Sequence, residues 1–379
     1  MGKGRGNRMS EADELCFFAL LRAGLWDREV DISLFKHSVD WNLIMEHGRK
    51  QTVLGVIADG IEKLPHELLP PLAVRRKLQQ NLLLIRQGHI RLNNVLTEVW
   101  KKLTDAGICP VLLKGQGMAQ NYIYPEQRQC GDIDLYVGEE QYDAACRLME
   151  SYGKVDGYES ETFLHRHFHR NGITVEIHRI AAYMSEPSSN KYFQELTCKY
   201  LKDRRCGFGK LRGTAISLPP ANFDAIFIFY HFVRHFVHGG IGLRQICDWM
   251  LCLHVRKEEI DKESVLREIR ILGLERFWRL FGCVAVDYLG LPKEEFPGYV
   301  SVDRKKVMRA VQVIFEAGNF GHYFYDTSKR PETYYRGKLF AFYYHFRWMV
   351  RIFPFDPWLL LRVGMVNFRN SMKVALAHR

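Results

Sequence analysis

The sequence predicts an α+β protein, in which a small mixed sheet lies between a helical N-terminal region and a helical C-terminal region. Three observations predict this fold class. Apolar residues recur at helical spacing before residue 105, apolar and polar residues alternate in short runs between residues 106 and 217, and helical spacing then returns. We therefore divide the chain of 379 residues into the segments 1–105, 106–217 and 218–379.

The N-terminal segment has the patterns of helices. Ser10 can cap a helix whose first turn holds Glu11, Asp13 and Glu14, which suit the positive end of a helix dipole. Farther along, one apolar helix face is predicted before Gly107. It carries Leu92, Val95, Leu96, Val99 and Leu103.

The middle segment alternates between strands and helices. We predict a strand in ICPVLLKG, a helix in QGMAQNYIY, a second strand in GDIDLYVG and an amphipathic helix after it. The next three runs are predicted to be extended: GKVDGYES, ETFLHRHFHR and GITVEIHRI. A strand–helix–strand–helix unit followed by adjacent strands indicates a mixed sheet.

The segment after Pro219 and Pro220 is predicted to be helical, beginning with NFDAIFIFYHFVRHFVHGG. Its last part combines basic residues with aromatic ones, including Tyr334, Tyr335, Tyr343, Tyr344 and Trp348. Such a mixture can stack bases and follow phosphates. At helical spacing it is more typical of the packed core of a helical bundle, which is our expectation here.

Composition limits the partners and the compartment. The formal net charge of +11 indicates anionic ligands, such as nucleotides, nucleic acid or an anionic surface. Nine cysteines without a C-x-x-C pair argue against a disulfide framework and against a structural zinc site. The first residues lack the apolar stretch of a signal peptide, and no run reaches the ~20 apolar residues that cross a bilayer. We therefore expect no transmembrane segment and a cytoplasmic location.

The most informative motif is GDIDLYV, at residues 131–137. Because side chains alternate along a strand, Asp132 and Asp134 are predicted to share one face while Ile133 and Leu135 enter the core. Two carboxylates roughly 7 Å apart repel each other unless a cation lies between them. The alternative is an edge strand with two solvated acids. A pair of magnesium ions, bridged by such carboxylates and by phosphate oxygens, is the arrangement used in phosphoryl transfer.

Two neighbouring motifs favour the cation site. Upstream, VLLKG leads through Lys114 and Gly115 into a predicted helix, where exposed backbone N–H groups can bind phosphate. Downstream, VEIH places Glu176 and His178 on one face of a strand. Glu176 would supply a third carboxylate to the same site.

Taken in order, LLKG, Arg128, GDIDLYV and ITVEIH resemble the motifs of the nucleotidyltransferase superfamily typified by DNA polymerase β. The chain is more closely similar to a poorly characterised bacterial branch, the uncharacterised or type-5 nucleotidyltransferase family. The run HFVRHFVHGGIGLRQICDW is similar to the helical half of that branch, and the resemblance covers roughly residues 40–290. It implies a nucleotidyltransferase core at 106–217, flanked by the two helical regions.

The resemblance implies that Asp132 and Asp134 are the metal-binding acid pair and that Glu176 is the third acid. Together they would hold Mg²⁺, most simply as two ions. The implied reaction is attack by an acceptor hydroxyl on the α-phosphorus of a nucleoside triphosphate, with ATP favoured and pyrophosphate released. The acceptor stays open among a small molecule, a sugar, RNA and a protein side chain.

For the triphosphate, the resemblance implies contacts in the turn formed by Lys114, Gly115 and Gln116. Gly115 matches the glycine of the superfamily's phosphate-binding turn, and Lys114 is typical of the narrower branch. The superfamily usually has Gly or Ser where this chain has Gln116, so the contacts to the triphosphate are expected to be altered. Arg128 is a further candidate phosphate ligand, with a solvated loop arginine as the alternative.

Five further residues are candidates for the walls of the cleft: His178, His231, His235, Arg244 and Asp248. His231 and His235 are four residues apart and share a helix face, which also suits zinc, but the H-E-x-x-H pattern is absent. His178 is either a substrate contact or a histidine satisfied within the sheet. The three histidines of HRHFHR alternate onto one face and can bind phosphate or a metal, with a solvated strand as the alternative.

Two other functions remain open. The first is a nucleotide-binding or regulatory module that kept the fold and lost the reaction, which Gln116 favours and the three acids oppose. The second is a metal-dependent phosphohydrolase that uses the histidine-rich strand with Asp132 and Asp134. The hydrolase would hold a transition metal tightly, whereas a magnesium enzyme would hold its ion weakly.

Overall fold

A computed structural model describes residues 9–152, 154–155, 164–202, 207–324 and 330–366. It confirms the α+β class, with a mixed sheet in the middle of the chain and helices before and after it. The three segment boundaries stay a prediction. The N-terminal basic run and most of the extended runs predicted between residues 153 and 163 lie outside the described residues.

Four α-helices lie in the described residues before the first strand: α1 (Glu11–Trp26), α2 (Trp41–Lys50), α3 (Leu54–Ile61) and α4 (Leu72–Asp105). The predicted start of α1 is confirmed, because the Ser10 side chain accepts a hydrogen bond from the Asp13 backbone N–H. Backbones approach closely where α1 meets α3. A Cβ atom on Gly24 would lie 1.9 Å from the Val56 carbonyl oxygen, so no larger residue fits there.

The strands of the described residues are β1 (Val111–Leu113), β2 (Asp132–Tyr136), β3 (Lys154–Val155), β4 (His165–Arg170), β5 (Ile173–His178), β6 (Gly207–Leu211) and β7 (Thr214–Leu218). The helices among them are α5 (Gly115–Ala119), α6 (Gly138–Glu150) and α7 (Pro187–Thr197). The predicted strands around residues 112, 134, 167 and 175 are all present. The helix α5 is shorter than predicted, and the β6–β7 hairpin was not predicted as a separate element.

The main sheet has the strand order β1-β2-β5-β4-β3 in the described residues. β2 runs parallel to β5, and the other neighbouring pairs are antiparallel. The strand β2 is therefore an interior strand, with β1 and β5 hydrogen-bonded on its two sides. This position excludes the alternative of an edge strand that carries two solvated acids.

One face of this sheet packs on α4 and α6 through a continuous apolar core. The face contributes Ile133, Leu135, Phe168, Val175 and Ile177, all at most 1% exposed. The predicted apolar stripe of α4, from Leu92 to Leu103, is confirmed as the other side of that core. Because side chains alternate, the residues between these positions face the opposite side of the sheet. That opposite face carries Asp132, Asp134 and Glu176.

After the hairpin, the described residues form helices: α8 (Ala221–His238), α9 (Leu243–Val255), α10 (Lys262–Ile271), α11 (Glu275–Cys283), α12 (Arg304–Ala317), α13 (Tyr334–Ile352) and α14 (357–366). Among the described helices, none has the length and apolar character that crossing a membrane requires. A packed aromatic core lies around Trp249 and Trp278, which are fully buried. In α13 the expectation holds for Trp348, which is buried, and is wrong for Tyr343, which is 55% exposed.

Candidate active site

Three carboxylates from two strands converge on one face of the sheet. In the parallel pairing of β2 with β5, Asp134 lies opposite Glu176 and Asp132 lies opposite Thr174. One carboxylate oxygen from each of Asp132, Asp134 and Glu176 lies within 4.8 Å of the other two. Alternation along each strand and the parallel register together produce this cluster, since both strands present their acids to the same side.

The cluster is largely removed from water. Asp134 is 1% exposed, and Asp132 and Glu176 are half-buried. Asp134 Oδ2 is buried and accepts no hydrogen bond from the residues that the structure describes. A buried carboxylate oxygen without a donor is costly, because the water that it left is not replaced. A cation at this oxygen would remove that cost.

Two basic side chains, Lys114 and His178, already contact the acids. Lys114 Nζ lies 2.9 Å from Asp134 Oδ1. His178 Nε2 lies 3.0 Å from the same oxygen and 3.1 Å from Glu176 Oε2, so the ring nitrogen must carry a proton. Burial lowers the pKa of His178, but its hydrogen bonds to Asp134 and Glu176 outweigh burial and raise that pKa overall. Burial likewise opposes the charge of Lys114, and the attraction of Asp134 and Asp132 raises its pKa nonetheless.

The histidines of β4 lie on the same face and contact Glu176. His167 Nε2 lies 3.3 Å from Glu176 Oε1, and His165 Nδ1 lies 3.7 Å from Glu176 Oε2. Burial, together with the neighbouring charge of His178, lowers the pKa of His165 to about 4. Burial alone would raise the pKa of Glu176, but His178 and Lys114 lower it to about 2. Glu176 is therefore ionised throughout the physiological pH range, whereas His165 is neutral.

The turn before α5 has an unusual backbone. Lys114 has φ 52° and ψ −146°, and Gly115 has φ 48°. A residue with a side chain rarely adopts the backbone of Lys114, which costs of the order of 1–3 kcal/mol. The turn lies directly beside β2, since a Cβ on Gly115 would be 3.4 Å from the Asp132 carbonyl oxygen. Strained backbone of this kind is typical of functional positions. Here the backbone conformation places the Lys114 side chain against Asp134.

Gln116 lies behind this turn rather than in the open cleft. It is 1% exposed, and its amide contacts Asn93 and His89 of α4. Its Oε1 accepts a hydrogen bond from the Cys130 thiol. The side chain thus fastens the turn to α4 and to the loop before β2. A side-chain contact of Gln116 to phosphate, as the sequence suggested, would require this network to break.

Arg128 and Asp248 form a buried bidentate ion pair. Arg128 Nε and NH2 each lie 2.7 Å from a carboxylate oxygen of Asp248, and Tyr122 OH donates to Asp248 Oδ1 at 2.8 Å. Burial opposes the charge of Asp248, but Arg128 lowers its pKa overall; Asp248 in turn raises the pKa of Arg128 well above its usual range. The sequence predicted Arg128 as a phosphate ligand and Asp248 as part of the wall of the cleft. The structure instead uses them to join the loop before β2 to α9.

Two of the three acids, Asp132 and Glu176, border an open cleft of about 490 Å³. Its walls are Thr52, Gln129, Cys130, Gly131, Asp132, His167, His169, Thr174, Glu176, Arg244, Asn319 and Phe320. Arg244 is anchored there, because its NH1 donates to the Gln129 carbonyl oxygen at 2.9 Å. Thr52 and Phe320 come from the N-terminal and C-terminal regions, so all three regions of the chain border the cleft.

His231 and His235 share one face of α8, as their spacing predicts, and their Nε2 atoms lie 3.1 Å apart. Burial and the charge of Lys114 lower the pKa of His235 to about 3 and that of His231 well below its ordinary value. Both rings are therefore neutral beside the lysine of the site. The His235 ring packs edge-on against Phe320 of the cleft wall, 4.8 Å between ring centres.

Sequence reasoning missed several residues of this site. Thr174 was within reach, because it precedes Glu176 by two residues on the same strand and must share its face. Thr52, Asn319 and Phe320 had no such pattern, since all three are far from the strands in the sequence, Thr52 in a turn and the other two in a short 3-10 helix. A second cavity of about 290 Å³, between α8, α11 and α14, has none of the predicted site residues in its walls.

Acids on two adjacent strands, beside a lysine–glycine turn, are consistent with an enzyme that transfers nucleotidyl groups. The family described as uncharacterised nucleotidyltransferase matches residues 37–290, well over half of the chain, and the chain belongs to that family. Comparisons with curated proteins and with solved structures gave no match. The resemblance inferred from the motifs is thus confirmed for the family.

Proposed function

We propose that the protein is a magnesium-dependent nucleotidyltransferase that moves AMP from ATP to an acceptor hydroxyl. The observation that carries this proposal is the convergence of Asp132, Asp134 and Glu176, whose oxygens lie within 4.8 Å of one another. The family supports nucleotidyl transfer in general. The choice of ATP, of magnesium and of an acceptor among small molecules, sugars, RNA and proteins belongs to the proposal.

The donor set fits a hard divalent cation. Magnesium prefers carboxylate oxygens, and Asp134 Oδ2 is buried without a partner among the described residues. Three carboxylates face Lys114 and His178, so at least one negative charge is left unbalanced within the cluster even when the His178 ring carries both protons. When bound there, magnesium would acidify the attacking hydroxyl and neutralise charge on the leaving pyrophosphate.

The chain's own residues would position the reactants. Lys114 is placed to attract a phosphate oxygen once Asp134 turns toward an ion. In the reaction, the acceptor oxygen forms a bond to the α-phosphorus, the bond from that phosphorus to pyrophosphate breaks, and the hydroxyl proton leaves. Since His178 and Lys114 lower its pKa to about 2, Glu176 is ionised near neutral pH and can orient the ion and the hydroxyl. The proton would finally pass to water.

The test is transfer of label from ATP labelled at the α-phosphate. The full chain is incubated with this ATP, magnesium and an extract of its host, and the labelled product is identified by mass. We expect a labelled acceptor and equimolar pyrophosphate, both of which disappear in Asp132→Ala. Release of inorganic phosphate, with no label attached to any acceptor, would refute transfer.

A second function, metal-dependent phosphohydrolysis, is favoured by one observation. His165, Glu176 and His178 also bring ligand atoms within 4.8 Å of one another, and nitrogen donors suit transition metals. This function predicts stoichiometric zinc, iron or manganese in the protein purified without chelator. Our proposal predicts none of these at stoichiometric amounts, and elemental analysis decides between them.

A further inference from the structure

One face of α13 exposes a continuous stripe of large apolar side chains. The stripe consists of Leu339, Phe342, Tyr343, Phe346, Val350 and, just after the helix, Phe353. Leu339 is 67% exposed and Phe342 is 65% exposed. At 100° per residue these positions span about a third of the helix circumference, whereas Trp348 and Ile352 lie on the other side and are buried. The exposure is thus confined to one face.

The next helix continues this exposed apolar surface. Trp358, Leu361 and Met365 follow helical spacing along α14, with Trp358 63% and Met365 64% exposed. The two consecutive helices thus expose nine large apolar side chains side by side, whereas an ordinary protein surface exposes such residues singly. We call this set, from Leu339 to Met365, the apolar stripe.

The charged side chains of α13 and α14 within the described residues are all cations: Arg336, Lys338, Arg347, Arg351 and Arg362. One of them, Arg351, pairs with Glu316 of α12. Between the two helices, Asp356 is buried and pairs with Arg276. On α13, the exposed Arg336 and Arg347 lie along one edge of the stripe and Lys338 lies along the other.

We propose that the apolar stripe and its flanking cations form a docking surface for an anionic phospholipid membrane. An amphipathic helix with aromatic and aliphatic residues on one face and Lys or Arg beside them lies in the plane of a bilayer interface. The apolar rings would enter the boundary of the acyl chains, and the cations would meet lipid phosphates. This surface shares no residue with the cleft, so the inference does not depend on the proposed function.

Two other occupants fit the surface less well. A second copy of the chain would bring the same cations against each other, and like charges oppose such pairing. Single-stranded RNA is bound by stacking on aromatic rings, which gives no role to Leu339, Val350, Leu361 and Met365. A bilayer accepts aliphatic and aromatic side chains alike, and an anionic one complements the cations.

The experiment is sedimentation of the full chain with vesicles of phosphatidylcholine alone and of phosphatidylcholine with phosphatidylglycerol. We expect binding to the anionic vesicles, at least tenfold weaker binding to the neutral ones, and loss of affinity as salt rises. The proposal would be overturned if the chain bound neither kind of vesicle, or if it bound both kinds with equal affinity.

Two double variants locate the effect. Phe342→Gln with Phe346→Gln removes the centre of the stripe, and Arg336→Gln with Arg347→Gln removes two flanking cations. Each is expected to weaken binding to anionic vesicles by roughly tenfold or more. The arginine variant loses two cations, each of which contributes about a factor of five near the surface. The phenylalanine variant loses two rings that would enter the boundary of the acyl chains. All four side chains are exposed, so far-ultraviolet circular dichroism should be unchanged.

The matched controls lie on other helices. Leu83→Gln with Leu84→Gln removes two exposed leucines of α4, and Lys101→Gln with Arg147→Gln lowers the net charge equally. Controls that weaken vesicle binding as much as the test variants would overturn the proposal. The proposal would also be overturned if the wild type did not bind anionic vesicles but bound a labelled single-stranded RNA, or formed a dimer through Phe342 and Phe346.

Discussion

Asp132 is the member of the acid cluster that can be removed with the least structural consequence. Asp134 is buried and accepts bonds from Lys114 and His178, and Glu176 is held by His178. Asp132 is half-buried, and its part of the site borders the open cleft. A substitution at Asp132 therefore reports on chemistry more than on folding.

Asp132→Ala is expected to lower the transfer rate by roughly 10³-fold or more, because one of three proposed ion ligands is lost. The thermal unfolding midpoint should stay within a few degrees of that of the wild type. The matched control is Asp143→Ala on α6, whose side chain is 76% exposed. The rate is measured as label transferred from ATP, and an unchanged rate in Asp132→Ala would remove Asp132 from the site.

Because the Arg128–Asp248 pair is buried, breaking it should change the free energy of unfolding. Arg128→Met leaves the Asp248 carboxylate buried without its cation, which we expect to lower the free energy of unfolding by about 3–5 kcal/mol. Arg128→Met with Asp248→Leu removes both charges and should recover most of that loss. Urea denaturation measures both. A double variant no more stable than the single one would show that the charges are not the cause.

The same pair predicts a pH dependence. Arg128 lowers the pKa of Asp248 in the folded protein, so the carboxylate stabilises the fold above its unfolded pKa of about 3.9. The stabilisation is lost as the pH falls below that value. The difference in free energy of unfolding between wild type and Asp248→Asn should thus be constant from pH 6 to 7 and shrink toward pH 3. A constant difference over the whole range would contradict the ionised pair.

At the scale of elements, local patterns predicted the strands and their faces. Alternation in GDIDLYV and ITVEIH was sufficient to place Asp132, Asp134 and Glu176 on the face of the sheet opposite the apolar core. The parallel pairing that brings β2 beside β5 depends on contacts between distant segments, which no local pattern contains. For the same reason Arg128 was taken as a phosphate ligand, although its partner Asp248 lies 120 residues away.

The helix α3 positions the loop that leads into β2. A Cβ on Gly55 would lie 2.2 Å from the Gln127 carbonyl oxygen, and the Gln127 amide donates to Asp59 at 3.1 Å. The N-terminal region is therefore in backbone contact with the segment just before the acid pair.

Gly55→Ala is expected to destabilise the protein by about 1–3 kcal/mol or more, because the added methyl group meets backbone atoms that cannot move aside. The matched control is Gly88→Ala on α4, where a Cβ meets nothing within 4 Å. That change should stabilise the helix by about 1 kcal/mol. Denaturation in urea compares the two, and equal effects would mean that the close approach at Gly55 carries no cost.

For the whole molecule, the cleft depends on all three regions of the chain. The sheet supplies Asp132 and Glu176, Thr52 comes from the N-terminal region, and Arg244 and Phe320 come from the C-terminal helices. The sequence predicted this order of helices, sheet and helices, and the family match covers the sheet and the helices next to it. The apolar stripe from Leu339 to Met365 lies beyond the family match.

The central claim is that the three acids form one site where a divalent cation and a nucleoside triphosphate bind together. Calorimetric titration of the full chain with a non-hydrolysable ATP analogue, in magnesium and then in chelator, tests it most directly. We predict saturable binding of one analogue per chain in magnesium, at least tenfold weaker binding in chelator, and no magnesium effect in Asp132→Ala. Binding of equal affinity with and without magnesium, or an unaltered magnesium effect in that variant, would contradict the claim.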